Sequence, residues 1–176
     1  MNLEELRTQY HDLAVTACEW RAMGLADPHD MAAEVFGRLD STKDHGLRDL
    51  YASIERVVVL SFQRNAERSS IMDRLRGGVF TERTAPIPGG DFLKALSNLR
   101  GRDRNILQYR FWDELTDLET AEVLNTTVEQ VIERLATAGS RYLGKLSRSH
   151  PDLNLSDIAD TLRSIKPGIY GRYGMG

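Results

Sequence analysis

Few residues in this chain could carry bond-making chemistry. The four histidines, His11, His29, His45 and His150, are scattered without the spacing of metal ligands. The one cysteine, Cys18, cannot form an internal disulfide, and it lies in Leu13-Ala-Val-Thr-Ala-Cys18, which reads as a buried helix face. The Gly-Gly pairs at 77–78 and 89–90 neither follow a strand nor open a phosphate-binding helix. Catalysis, a bound metal, a cofactor and a small-molecule substrate are therefore not expected. What remains is recognition by charge. Asp30 and Glu34 are four apart and share one helix face, with Met31, Val35 and Leu39 on a neighbouring one. Arg56, Arg64 and Arg68, spaced by eight and four, fall near one face of a longer helix, and Arg74 and Arg76 extend its basic end. Arginines so placed suit phosphates or single-stranded DNA, and they equally suit a solvated basic face. Tyr51 and Phe62 could stack on bases or belong to a core.

These groups must be held by helices. Apolar residues recur at three-four spacing and β-branched runs are short, so an all-α fold is expected. At 176 residues, with 41% hydrophobic and 28% charged side chains, the chain has material for one ordinary domain or two small ones. The first helix reads over about 3–23. Asp27-Pro28 opens a second, with Asp27 as N-cap and Pro28 where its missing N–H costs nothing. A third runs over about 47–76. Residues 77–90, with glycine pairs at both ends and two prolines, read as a flexible linker. Beyond it helices are expected at about 92–99, 102–112, 117–124 and 128–146, with Thr116 capping the third and Thr126 or Thr127 the fourth. A short amphipathic segment follows at 155–165, capped by Asn154 or Ser156. Its apolar stripe, Leu155, Ile158 and Leu162, should pack on a domain or a partner. A glycine-rich mobile tail closes the chain. The expected division is thus 1–76, linker 77–90, 91–150, and 151–176.

The start of the chain has no basic, apolar leader, and the longest apolar run, Val57–Leu60, is too short for a membrane span, so a cytoplasmic protein is expected. The net charge of −3 supplies no general pull toward nucleic acid. Any DNA contact must come from local patterning.

That patterning resembles a bacterial sigma factor. Residues 95–111, an Ala-Leu-x-x-Leu helix, a charged turn and an Arg-x-x-x-Leu-x-x-Arg helix, are similar to the opening of sigma region 4. Leu115–Leu124 then resembles the first helix of the family's helix-turn-helix, with Glu119, Ala121 and Leu124 in place. Thr126–Leu135 resembles its recognition helix, with Val131, Arg134 and Leu135 on pattern. Ala121 is small where two helices cross, and Leu118, Leu124, Val131 and Leu135 are expected to fill the core between them. LuxR-type regulators share a related four-helix module. The discriminator is Asp27–Leu39, which resembles sigma region 2 through Asp30, Glu34, Val35 and Phe36. The length and the two regions together point to the extracytoplasmic-function type.

The resemblance implies partners and sites. Asp30, Met31, Glu34 and Phe36 would contact the clamp helices of the largest subunit of core RNA polymerase, and the C-terminal domain would engage the polymerase flap. Arg56, Arg64 and Arg68 would meet the minus-ten element of promoter DNA. Thr126, Thr127, Gln130, Arg134, Arg141 and Lys145 would meet the minus-35 element. An anti-sigma factor is a common companion of the family, though no residue here signals one.

The sequence also departs from the family. Ala33 replaces a polar residue. Ile132, Glu133, Thr137 and Gly139 stand where basic or small polar residues are usual, and Glu129 adds a second acid. A glutamate repels phosphate, and Gly139 costs about 1 kcal/mol relative to alanine inside a helix. Minus-35 reading would then rest on few base contacts, such as those of Gln130 and Arg134. Two functions follow: a promoter-specificity subunit, or a degenerate sigma-like regulator that works through protein contacts.

Overall fold

The computed structural model of the chain describes residues 1–22, 26–75 and 90–165, with the backbone alone for 68–75. Among the described residues there are eight α-helices and no strand, the all-α class expected. Two compact units divide the chain, Met1–Ile87 and Pro88–Gly176. Residues 76–89 and the tail 166–176, where a linker and a mobile end were expected, lie outside the described residues.

The N-terminal unit consists of α1 (Leu3–Ala22), α2 (Pro28–Gly37) and α3 (Leu47–Leu75), each packed on the other two. Its core follows the apolar spacing. Leu6, Ala14, Ala17 and Cys18 come from α1, Met31, Ala32, Val35 and Phe36 from α2, and Leu50, Tyr51, Ile54 and Val57 from α3. Small residues on α1 admit the bulkier α2 and α3 side chains. α2 starts as its sequence dictates: the Asp27 carboxylate accepts from the backbone N–H groups of His29 (2.8 Å) and Asp30 (3.3 Å). Near its end the buried Ser53 hydroxyl donates to the Val35 carbonyl at 2.9 Å. That bond satisfies a terminal carbonyl of α2 from within α3.

The C-terminal unit contains α4 (Gly90–Ser97), α5 (Gly101–Phe111), α6 (Asp117–Leu124), α7 (Val128–Leu146), a 3₁₀ turn (Leu155–Asp157) and α8 (Ile158–Ser164). α7 is its axis, packed on α4, α5, α6 and the 3₁₀ turn. Val131, Ala138, Tyr142 and Leu146 form the inner stripe of α7. Tyr142 is fully buried, and its hydroxyl donates to the Phe92 carbonyl at 3.3 Å, tying α4 to α7. Burial pushes that phenol well above the usual tyrosine range.

The segment after Pro151 belongs to this unit. Ile158, Leu162 and Ile165 are buried, and the Trp112 indole N–H donates to the Leu162 carbonyl at 2.9 Å. Leu155 is 55% exposed, against the expectation that it shares this stripe. It lies on the 3₁₀ turn rather than on α8. A Cβ on Gly139 would stand 3.0 Å from Ile158 Cδ1 and 3.5 Å from Leu155 Cδ2. The glycine inside α7 thus lets the extension approach closely, which accounts for a residue that is costly in a helix.

Among the described residues no helix is long and apolar enough to cross a membrane, and no group of histidine, cysteine and carboxylate side chains could hold a metal.

Candidate nucleic-acid and polymerase interfaces

In the C-terminal unit α6, a tight turn and α7 make a helix-turn-helix. Thr116 caps α6 in a reciprocal box: its hydroxyl accepts from the Glu119 N–H (3.2 Å), and the Glu119 carboxylate accepts from the Thr116 N–H (2.8 Å). The turn is closed by Asn125 in the left-handed region (φ 48°), with Asn125 N–H on the Glu122 carbonyl (3.1 Å) and Thr126 N–H on the Ala121 carbonyl (3.0 Å). This is the Schellman pattern, and asparagine tolerates its backbone better than any residue but glycine. α7 restarts two residues later, where the Thr127 hydroxyl accepts from the Gln130 N–H at 3.3 Å.

The core between the two helices differs from expectation at one position. Ala121 and Val131 are buried and Leu124 and Leu135 are half-buried, but Leu118 is 72% exposed. On α6 the inward residues are Thr120, Ala121 and Val123. Leu118 stands four before the exposed Glu122 and shares its outward face.

Gln130, Arg134, Thr137 and Arg141 follow three-four spacing and line one open depression of about 290 Å³ together with Asp103 and Glu133. The Thr126 hydroxyl donates to Gln130 Oε1, which leaves the amide nitrogen of Gln130 facing out as a donor. Thr127 is spent on its cap. Lys145 is exposed and makes no ion pair among the described residues. Arg141 donates through Nη1 to both carboxylate oxygens of Asp103, at 2.8 and 3.0 Å. Asp103 is a residue sequence reasoning missed, because its partner is 38 positions away. Glu129 uses its carboxylate locally, bonded to its own backbone N–H and to the Thr127 hydroxyl, and this holds it below the usual carboxylate range. Ile132 is 54% exposed beside it.

The N-terminal candidates separate differently. Asp30 is exposed on the first turn of α2, whereas Met31 and Phe36 are only 3% and 4% exposed. These two, expected at a partner surface, pack in the core and hold α2 there. Glu34 accepts from Arg38 on its own helix (Nη2 at 2.6 Å) and from Arg64 on α3 (2.9 and 3.0 Å, both guanidinium ends). One expected polymerase residue and one expected DNA residue thus meet in a single ion cluster. Arg56 is exposed with no ion pair among the described residues, and the Arg68 side chain lies outside them. Tyr51 is buried beneath the Arg21 guanidinium, 5.8 Å from its ring centre, while Phe62 is 43% exposed.

The arginines, Arg64 first and then Arg38, pull the Glu34 carboxyl from its ordinary value down to about 2. A depressed folded-state value contributes stability that is fully present above the unfolded value of 4.5 and is lost as pH falls toward 2. Glu34→Gln should therefore lower the melting temperature of the N-terminal unit at pH 7. The gap from wild type should close steadily between pH 4.5 and about 2. A gap unchanged over that window would show that the cluster contributes nothing through charge.

Residues 95–139, about a quarter of the chain, match the family profile of sigma-70 region 4, from Ala95 near the end of α4 to Gly139 in α7. No curated protein and no solved structure matches the chain. The C-terminal unit therefore carries a helix-turn-helix similar to sigma-70 region 4 over residues 95–139.

Proposed function

We propose that this chain is an extracytoplasmic-function type sigma factor, a cytoplasmic, non-catalytic subunit that binds core RNA polymerase and directs initiation at particular promoters. The observation that carries the reading is the solvent-facing stripe Gln130, Arg134, Thr137 and Arg141 on the second helix of a region 4-type helix-turn-helix. Gln130 and Arg134 have the donors for base edges in a major groove, and Arg141 and Lys145 have the charge for phosphates. In the N-terminal unit, taken as region 2, Asp30 offers an exposed carboxylate for the polymerase clamp helices, and Arg56 and Phe62 are open to the minus-ten element. Residues 77–90 serve as the tether in this reading.

Reconstitution tests it directly. Full-length protein with core polymerase should form a stable complex and start transcripts at a limited set of fragments from a genomic library. The absence of both a complex and any selective transcript would overturn the proposal.

A second reading has its own support. Glu129, Glu133 and the exposed Ile132 and Leu118 give the helix-turn-helix a face more suited to protein than to DNA. In that case the chain is a sigma-like regulator that binds polymerase, an anti-sigma factor or another transcription factor. It would then bind polymerase without adding protection of minus-35 DNA; sequence-selective protection there would exclude it.

A further inference from the structure

We infer that Asp103 is a built-in stand-in for a DNA phosphate, holding Arg141 in its nucleic-acid-binding pose while cancelling its charge in the free protein. The inference rests on the reading of α7 as a DNA-facing helix and adds to it a residue that sets affinity.

Gln130 and Arg141 are eleven residues apart, about 16 Å along the axis, so their shared stripe spans about three turns of α7. Arg141 closes the stripe at the end where α5 begins. Asp103 lies in the first turn of α5, anchored on a rigid backbone, and its side chain is 14% exposed. Arg141 is 52% exposed and reaches it from the open side of the groove. Asp103 places both carboxylate oxygens on Arg141 Nη1, a donor that a phosphate oxygen could also take.

The charges in the groove balance: Arg134 and Arg141 against Asp103 and Glu133. A phosphate arriving at Arg141 meets a guanidinium whose Nη1 is already held by Asp103, so it either displaces that carboxylate or binds the remaining donors with the anion alongside. Displacement is opposed, since Asp103 is only 14% exposed and would lose its partner. Neither route yields net neutralisation, so Arg141 adds no counterion release when it meets DNA. Discrimination is left to Gln130 and Arg134, and general affinity for duplex is held down.

The test uses the full chain and a mixed-sequence DNA duplex, with binding followed by fluorescence anisotropy from 50 to 200 mM salt. The proteins are wild type, Asp103→Asn, Arg141→Gln and the double variant. Asparagine keeps the shape of Asp103 and removes its charge. D103N should bind more tightly at 50 mM, with a log–log salt slope steeper by about 0.9, the signature of one added phosphate contact. Its advantage over wild type should shrink about three- to fourfold by 200 mM. In the R141Q background the change at Asp103 should lose most of this effect. Binding that D103N leaves unchanged overturns the inference and leaves the sigma-factor reading standing. An undiminished gain in the double variant also overturns it, since the charge would then act at a distance. No DNA binding by any of the four overturns both the inference and the DNA-facing role of α7.

Discussion

Removing residues 154–176 should cost the C-terminal unit several kcal/mol and abolish its separate cooperative unfolding. The segment buries Ile158, Leu162 and Ile165, at 5%, 1% and 2% exposure, and it provides the only carbonyl known to receive the Trp112 indole N–H among the described residues. Without it Trp112, itself 2% exposed, faces water on one side and loses its hydrogen bond. Large-to-small changes at such sites cost about 2–5 kcal/mol, and an internal hydrogen bond exchanged for one to water costs about 0.5–1.5 kcal/mol. Leu162→Ala alone should therefore lower stability by about 2–5 kcal/mol. The chain has two tryptophans, Trp20 in α1 and Trp112 in the C-terminal unit. In a Trp20→Phe background, urea titration followed by fluorescence reports this unit by itself. A midpoint unmoved by both changes would show that the extension is not part of the fold. The region 4 match ends at Gly139, so the segment lies beyond the matched residues, and it packs closely over the position where that glycine has no Cβ.

Phe36→Ala should destabilise the N-terminal unit by about 3–5 kcal/mol, and Asp30→Ala by well under 1 kcal/mol. Phe36 is 4% exposed, and its ring lies nearly parallel to that of His11 on α1, 6.4 Å between centres. Its loss opens a cavity where α1 and α2 meet. Asp30 is exposed and contributes only through the positive end of the α2 dipole. The two variants therefore separate fold from contact. D30A should weaken capture by core polymerase with the melting temperature nearly unchanged. F36A should lose capture only in proportion to its loss of folded protein. If F36A kept its melting temperature and still failed to bind, Phe36 would be a contact residue and not a core one.

Much of this was legible in the linear sequence. Asp27-Pro28, the Thr116–Glu119 box and Thr127 each set a helix start, because a cap involves a side chain and backbone groups within three residues. The three-four apolar rhythm placed Met31 and Val35 on the inner face of α2 and Val131 on that of α7, since helical period is also a local property. The helix-turn-helix followed from the same short-range rules.

The tertiary structure decided what those faces meet. Leu118 and Leu155 are as apolar as their neighbours, yet they stand outside the packed faces, because inclusion depends on where a second helix crosses. Gly139 reads as a defect in α7 until the extension closes over it. Above all, the charged residues could not be sorted by spacing. Glu34 and Arg64 are 30 positions apart, and Asp103 and Arg141 are 38. Whether a carboxylate is free for a partner or already bound to an arginine is fixed by interhelix geometry. The caps and periods of the sequence built the helices; only their packing determined which charges are left to act.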